Sequence, residues 1–111
     1  MESPKVRPIN ISDLFYESTK QIFDYGIEQF GELQALKYEC LIYEELQLLP
    51  HRYLAHPECR HIPTMSKMYR SIMLPAHFIL YRITATRIEV LDIISYRESI
   101  SKIQKRRQIK L

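Results

Sequence analysis

Five basic side chains and two tyrosines gather in the stretch 70–97: Arg70, His77, Arg82, Arg87 and Arg97, with Tyr81 and Tyr96 among them. Arginine and aromatic side chains together suit single-stranded RNA, because guanidinium groups pair with phosphates and rings stack on bases. The competing reading is structural: Arg70, Arg82 and Arg97 are salt-bridged or solvated, and Tyr81 is core. A second cationic set closes the chain: Arg97, Lys102, Lys105, Arg106, Arg107 and Lys110. It is either a contact surface for a target or a solvated tail. A third group, His51, His56, Cys59 and His61, offers four potential zinc ligands. Its gaps of four, two and one residues are not those of zinc fingers or knuckles. The expectation there is an exposed loop, with no metal and no cofactor. Only Gly26 and Gly31 exist as glycines, so no phosphate-cradling loop is present, nor a nucleophile elbow or zincin motif.

A chain of 111 residues that is 46% hydrophobic makes one domain, residues 1–111, with a real core. No apolar run approaches the ~20 residues of a membrane span. The opening residues lack the apolar stretch of a signal peptide, so a cytosolic protein with no membrane partner is expected. Cys40 and Cys59 fit that compartment as two reduced thiols. Charge is uneven. Residues 1–49 carry 4 basic and 9 acidic side chains, whereas residues 50–111 carry 12 basic and 4 acidic. Such asymmetry points to two faces with different partners, the basic one suited to a polyanion or an acidic protein segment.

The positioning elements follow from periodicity. Val6 to Ile11 reads as a first strand, with Pro8 tolerable only at an edge or a start. Ser12 or Asp13 caps a helix running to about Gln29, with Leu14, Ile22, Phe23, Ile27 and Phe30 as its apolar positions and Gly31 at its end. A second helix starts near Glu32 and is expected to stop before Pro50. Its stripe, Ala35, Tyr38, Ile42, Leu46 and Leu49, traces one face. So short a link makes the two helices an antiparallel hairpin. His51 to Ser66 reads as loop. Three strands follow: Ser71 to Leu74, His77 to Ile83 and Ile88 to Ile94, with Thr84 to Arg87 as the turn between the last two. Residues 98–111 form a basic tail or a helix. The fold class is α+β in the order β-α-α-β-β-β, the hairpin covering one face of a small, mainly antiparallel sheet. Along the strand from His77, Phe78, Leu80 and Arg82 point one way, and Ile79, Tyr81 and Ile83 the other. Both sets are largely apolar, so the face away from the hairpin is expected to meet a partner.

The order and spacing of Arg70-Ser71, His77 to Ile83, Ile88 to Leu91 and Arg97 resemble the RelE/ParE superfamily of bacterial toxins from type II toxin–antitoxin systems. Tyr25, Phe30-Gly31, Gln34-Ala35, Tyr38 and Pro57 fall where ParE-like chains keep similar residues. The resemblance covers roughly residues 9 to 98, and the helical portion is more similar to the ParE-like branch. It implies a toxin neutralised by a cognate antitoxin whose C-terminal segment lies along grooves beside the hairpin and the sheet. In the ParE-like branch it implies inhibition of DNA gyrase, a non-enzymatic action in which the C-terminal part is implicated. The target-binding residues would then be Arg70, Arg82, Arg97, Lys102, Lys105, Arg106 and Arg107. The rival implication is a ribosome-dependent mRNA endoribonuclease, an enzyme. Cleavage needs a group to activate the 2′-hydroxyl, one to protonate the leaving oxygen, and a cation on the phosphate. His77, Tyr96 and Arg82 are the residue types for it. The mRNA-cleaving members carry a denser lysine and arginine set than this chain does. A third reading is a module that binds an antitoxin without being toxic.

Overall fold

The computed structural model describes residues 5–111; the first four, part of the polar opening segment read above, lie outside it. The order is β1 (Ile9–Ile11), α1 (Asp13–Phe30), α2 (Glu32–Arg52), β2 (Tyr69–Met73), β3 (His77–Ile83), β4 (Ile88–Ser95) and α3 (Ile100–Lys105), which ends in a 3-10 turn, Arg106–Gln108. The four strands form one sheet in the spatial order β1-β4-β3-β2. β1 runs parallel to β4, and the other pairs are antiparallel.

β1 is shorter than expected. Pro8 lies before it and offers its carbonyl to the Ile88 amide at 2.9 Å, a bond that needs no donor from the proline. Ser12 then turns chain direction. Its amide donates to the Val90 carbonyl, and its hydroxyl caps α1 by accepting the Phe15 amide at 3.0 Å. The same hydroxyl donates to the Leu91 carbonyl, so one serine ties strand end, helix start and β4 together.

The hairpin link is a single residue, Gly31, at φ 88° and ψ 163°, a backbone conformation open to glycine and strained for other residues. The stripe on α2 is buried as expected at Ala35, Ile42, Leu46 and Leu49. α2 does not stop before Pro50, however; it continues through it to Arg52. A proline in the last turn forfeits one hydrogen bond, and here Leu49 and Tyr53 on either side are almost fully buried, which holds the turn in place. α1 departs further from expectation. It buries Phe15 and Thr19, while Leu14, Ile27 and Phe30 stay exposed.

Two cores form, one on each side of the sheet. The hairpin side joins Phe15, Ile42, Leu46 and Leu49 to Ile79, Tyr81, Ile88, Val90 and Ile93. The other side joins Phe78, Leu80, Leu91 and Ile94 to Tyr69, Cys59, Ile62 and Ile103. β3 therefore alternates as its sequence predicts. β4 does not, because a bulge pairs Leu80 with Asp92 but Tyr81 with Val90. The extra residue shifts the alternation, so Ile94 faces away from the hairpin although Ile88 and Val90 face it. The second core corrects the expectation that a partner must cover this face. The chain covers much of it itself, with the 57–62 segment and with α3 and its following turn.

Candidate functional site

The C-terminal arm, residues 98–111, is bound to the sheet through charge. β4 carries two acids in an otherwise apolar run, Glu89 and Asp92, and both are buried. Asp92 accepts from the Arg106 guanidinium at 2.9 Å and from the Ile93 amide at 2.8 Å. Glu89 accepts from Arg82 on β3 and from Arg87 in the hairpin turn, at 2.6 and 2.7 Å. Burial alone would raise the Glu89 pKa. The hydrogen bonds and charges of the two arginines outweigh it and hold the carboxyl below its ordinary range. The same arginines reach the arm: Arg82 donates to the carbonyls of Arg107 and Ile109, and Arg87 to that of Leu111. Ile103 and Ile109 supply the apolar contact beneath.

Arg82 is almost buried and shared among Glu89, the Tyr69 hydroxyl and the arm. Arg70 donates to the carbonyls of Lys67, Leu54 and His56 and so staples the 54–67 loop. Arg106 belongs to Asp92, with Glu98 at 3.8 Å. Arg107 bonds within its own turn, to the Gln104 carbonyl. Arg97, Lys102, Lys105 and Lys110 are exposed, and among the described residues their side chains have no ion-pair or hydrogen-bond partner. They form the free positive charge of the arm and the segment leading into it. Tyr81 is fully buried, its hydroxyl donating to the Tyr53 carbonyl.

His77, Arg82 and Tyr96 do not converge. His77 sits on the hairpin side, its Nδ1 2.8 Å from the Tyr38 hydroxyl. The Tyr96 ring lies over Phe78 on the opposite side, and its hydroxyl donates to the Leu74 carbonyl at 2.6 Å, at the same end of the sheet as His77 and near enough to help raise the pKa of Tyr38. Arg82 stands at the other end of β3, five residues or about 17 Å from His77 along an extended strand. Beside Tyr96 lies an open groove of about 370 Å³, lined by Pro57, Cys59, His61, Met73 and Phe78. Among the described residues no three His, Cys, Asp or Glu side chains cluster as metal ligands would. Cys59 is buried and free, Cys40 exposed and free. No helix among the described residues is long and apolar enough to cross a membrane.

Burial lowers the pKa of both His77 and His56; at His56 the positive charges of Arg52 and Arg70 add to burial, and Glu45 opposes. A histidine whose folded pKa lies below its unfolded value of about 6.5 stabilises the fold fully above that value. The contribution is lost as pH falls through the folded pKa. Melting temperature is therefore expected to decline between about pH 7 and pH 5, and the double variant His56→Gln/His77→Gln should flatten that decline. An equal decline in the double variant would show that other groups drive it. Glu89 acts in the same sense at lower pH, where its carboxylate takes up a proton.

Sequence reasoning missed Glu89 and Asp92 as anchors and Tyr38 as the partner of His77. The signal for the first two was present: an acid inside a β-branched run that reads as buried on both faces must find a cation.

A comparison with curated protein sequences finds no significant match. Among solved structures, one from the "Chromosomal ParDE TA system from P. aeruginosa" is similar with a TM-score of 0.67 at 17% identity, covering 83% of this chain and 98% of that one. A chain of the "E.coli DinJ-YafQ complex" gives a TM-score of 0.43 at 18% identity, covering 81% of this chain and 93% of that one. The first shares the fold: a helical hairpin, then antiparallel strands and a C-terminal helix. The family model described as "ParE toxin of type II toxin-antitoxin system, parDE" matches residues 9–100, from β1 to the start of α3. The chain belongs to the ParE toxin family, the toxin half of a type II toxin–antitoxin pair.

Proposed function

We propose that this toxin acts on DNA gyrase by protein–protein contact, in the cytoplasm, and that the free cations of its C-terminal arm carry the contact. The observation behind this is the division of labour among the basic residues. Arg82, Arg87 and Arg106 are consumed in fastening the arm, and Arg97, Lys102, Lys105 and Lys110 are left facing solvent. An anchored arm presents its charges on a fixed frame, which lowers the entropy lost on docking. Residues suited to RNA cleavage are instead spread over two sheet faces and both ends of β3, so an acid, a base and a phosphate-binding cation do not meet at one atom. A cognate antitoxin would neutralise the toxin.

The test is induced expression in bacteria with pulse labelling of DNA and protein synthesis. DNA synthesis should fall first, with translation intact at the outset. The variant Arg97→Gln/Lys102→Gln/Lys105→Gln/Lys110→Gln should keep its melting temperature and lose at least about tenfold in inhibitory potency, as expected when several charged contacts of a docking surface are removed. Deleting everything after Arg97 is a poorer test, because it removes Ile103, Ile109 and Arg106 from the fold. A prompt fall in protein synthesis, abolished by His77→Ala or Tyr96→Phe, would overturn the gyrase reading in favour of ribosome-dependent mRNA cleavage. Undisturbed growth would mark a module that binds antitoxin without toxicity.

A further inference from the structure

Charge is sorted along the strands. Residues 13–49, which form α1 and most of α2, carry 8 acidic and 2 basic side chains. Residues 59–88 carry 5 basic side chains and no acid, and residues 5–12 carry 2 and none. Strand pairing brings several of these cations to one end of the sheet. β1 and β4 start side by side, Ile9 against Ile88, and β2 starts against the end of β3, Tyr69 against Arg82. The residues just before those starts therefore share one end: Lys5 and Arg7 before β1, Arg87 before β4, Lys67 before β2. α2 finishes there too. The Arg7 amide donates to the Pro50 carbonyl, and the Tyr53 hydroxyl donates to the Lys5 carbonyl. Arg52 is the last residue of that helix.

Four of these cations keep their charge uncompensated. Lys5, Arg52 and Lys67 are exposed, and among the described residues their side chains make no ion pair or hydrogen bond. Arg7 lies over the Tyr53 ring, 5.1 Å from its centre, and donates to the Thr84 carbonyl; both partners are neutral. Two acids come near. Glu89 is already shared by Arg82 and Arg87, and Glu45 stands about two turns up α2 from Arg52, close enough to act on His56. The carbonyl end of α2 is itself partly negative, and His51 and Arg52 in its last turn offset that. Tyr53 and Tyr69, the tyrosines at this end, are buried.

We propose that this end of the sheet docks on the phosphate backbone of double-stranded DNA. Four strand ends spaced about 4.8 Å apart span roughly 14 Å, a length over which a duplex presents about eight charges. Cations drawn from separate segments meet such a lattice at several points, and contacts of this kind position the protein without reading base sequence. A single strand is instead held by exposed rings on which its bases stack, and the rings here are buried. The acidic hairpin is repelled by the same polyanion, so the molecule approaches with its basic end first. The choice of DNA over RNA rests on the gyrase reading, since duplex DNA is what gyrase acts on. The arm cations given to the protein contact are a separable set: Arg97 follows the opposite end of β4.

The test titrates the full chain, without gyrase, against a short fluorescent DNA duplex of mixed sequence, its RNA duplex counterpart and its single strand, read by anisotropy. With four phosphate contacts, the logarithm of affinity for the DNA duplex should fall against the logarithm of salt with a slope of about −3.6, roughly a 150-fold loss between about 50 and 200 mM. The variant Lys5→Gln/Arg52→Gln/Lys67→Asn takes asparagine at Lys67 because φ there is 55°. It should keep its melting temperature, bind at least about tenfold more weakly at the lower salt and show a slope near about −1. The arm variant Arg97→Gln/Lys102→Gln should change the affinity by less than about threefold. No binding at low salt, or an equal loss in the arm variant, would overturn the proposal and leave the gyrase contact standing. Tighter binding of the RNA duplex or of the single strand would overturn it and count against the gyrase reading as well.

Discussion

Arg106→Met is expected to destabilise the protein by about 3 kcal/mol, the range seen when one partner of a buried ion pair is removed. Asp92 is 1% exposed and its carboxylate has one cationic partner, the guanidinium at 2.9 Å. Methionine keeps most of the aliphatic stem, so the loss measures the stranded charge more than the packing. Replacing both members, Asp92→Leu with Arg106→Met, should return much of the stability, because apolar residues of similar volume often substitute for a buried pair at little cost. Urea unfolding of the three variants distinguishes the terms. A loss under about 1 kcal/mol in Arg106→Met would mean that water reaches Asp92 and that the arm is not held by this pair. The result bears on function: if the arm is welded to β4, its free lysines form part of a folded surface, and their effect on a target is separable from stability.

Phe15→Ala is expected to cost about 4 kcal/mol, at the upper end for large-to-small changes in a core. Phe15 is fully buried among Ile42, Leu46, Ile79, Val90 and Ile93, and it is the main apolar contribution of α1 to the sheet. Its amide is the one capped by Ser12, and its carbonyl accepts from Thr19, so the ring cannot shift without disturbing the helix start. Phe30→Ala on the same helix should change stability by less than about 0.5 kcal/mol, since Phe30 is mostly in water. Denaturant curves for the pair test the assignment of faces on α1. Similar losses at both positions would mean that the distal hairpin packs against something in the folded protein.

That contrast shows where reading the chain alone falls short. α1 contains apolar residues on more than one face, and periodicity does not rank them; the crossing of α1 over β4 selects Phe15 and leaves Ile27 and Phe30 outside. α2 was more legible because its stripe has one dominant face. Pro50 was misread as a terminator, since its cost as a helix breaker is local, whereas the burial of Leu49 and Tyr53 that offsets it comes from contacts distant in sequence. The bulge in β4 had no signature in the run Ile88 to Ile94, because apolar residues on both sides of the shift satisfy either register.

The residues that do chemistry by type were the least legible. Arg70, Arg82, Arg87 and Arg97 look alike in sequence. Tertiary structure makes Arg70 a loop staple, Arg82 and Arg87 clamps on Glu89, and Arg97 a free cation. Local pattern determined the elements: the alternation in His77 to Ile83, a cap at Ser12 or Asp13, which the structure gives to Ser12, the glycine link at Gly31 and the stripe from Ala35 to Leu49. These depend on forces acting within a few residues, which a single chain displays. Which side of the second core is closed by the chain's own arm, and which cations remain for a target, depend on pairings across 14 to 27 positions, such as Arg106 with Asp92 and Arg82 with Ile109. Charge and burial at that range are decided only when the sheet and the arm occupy the same space.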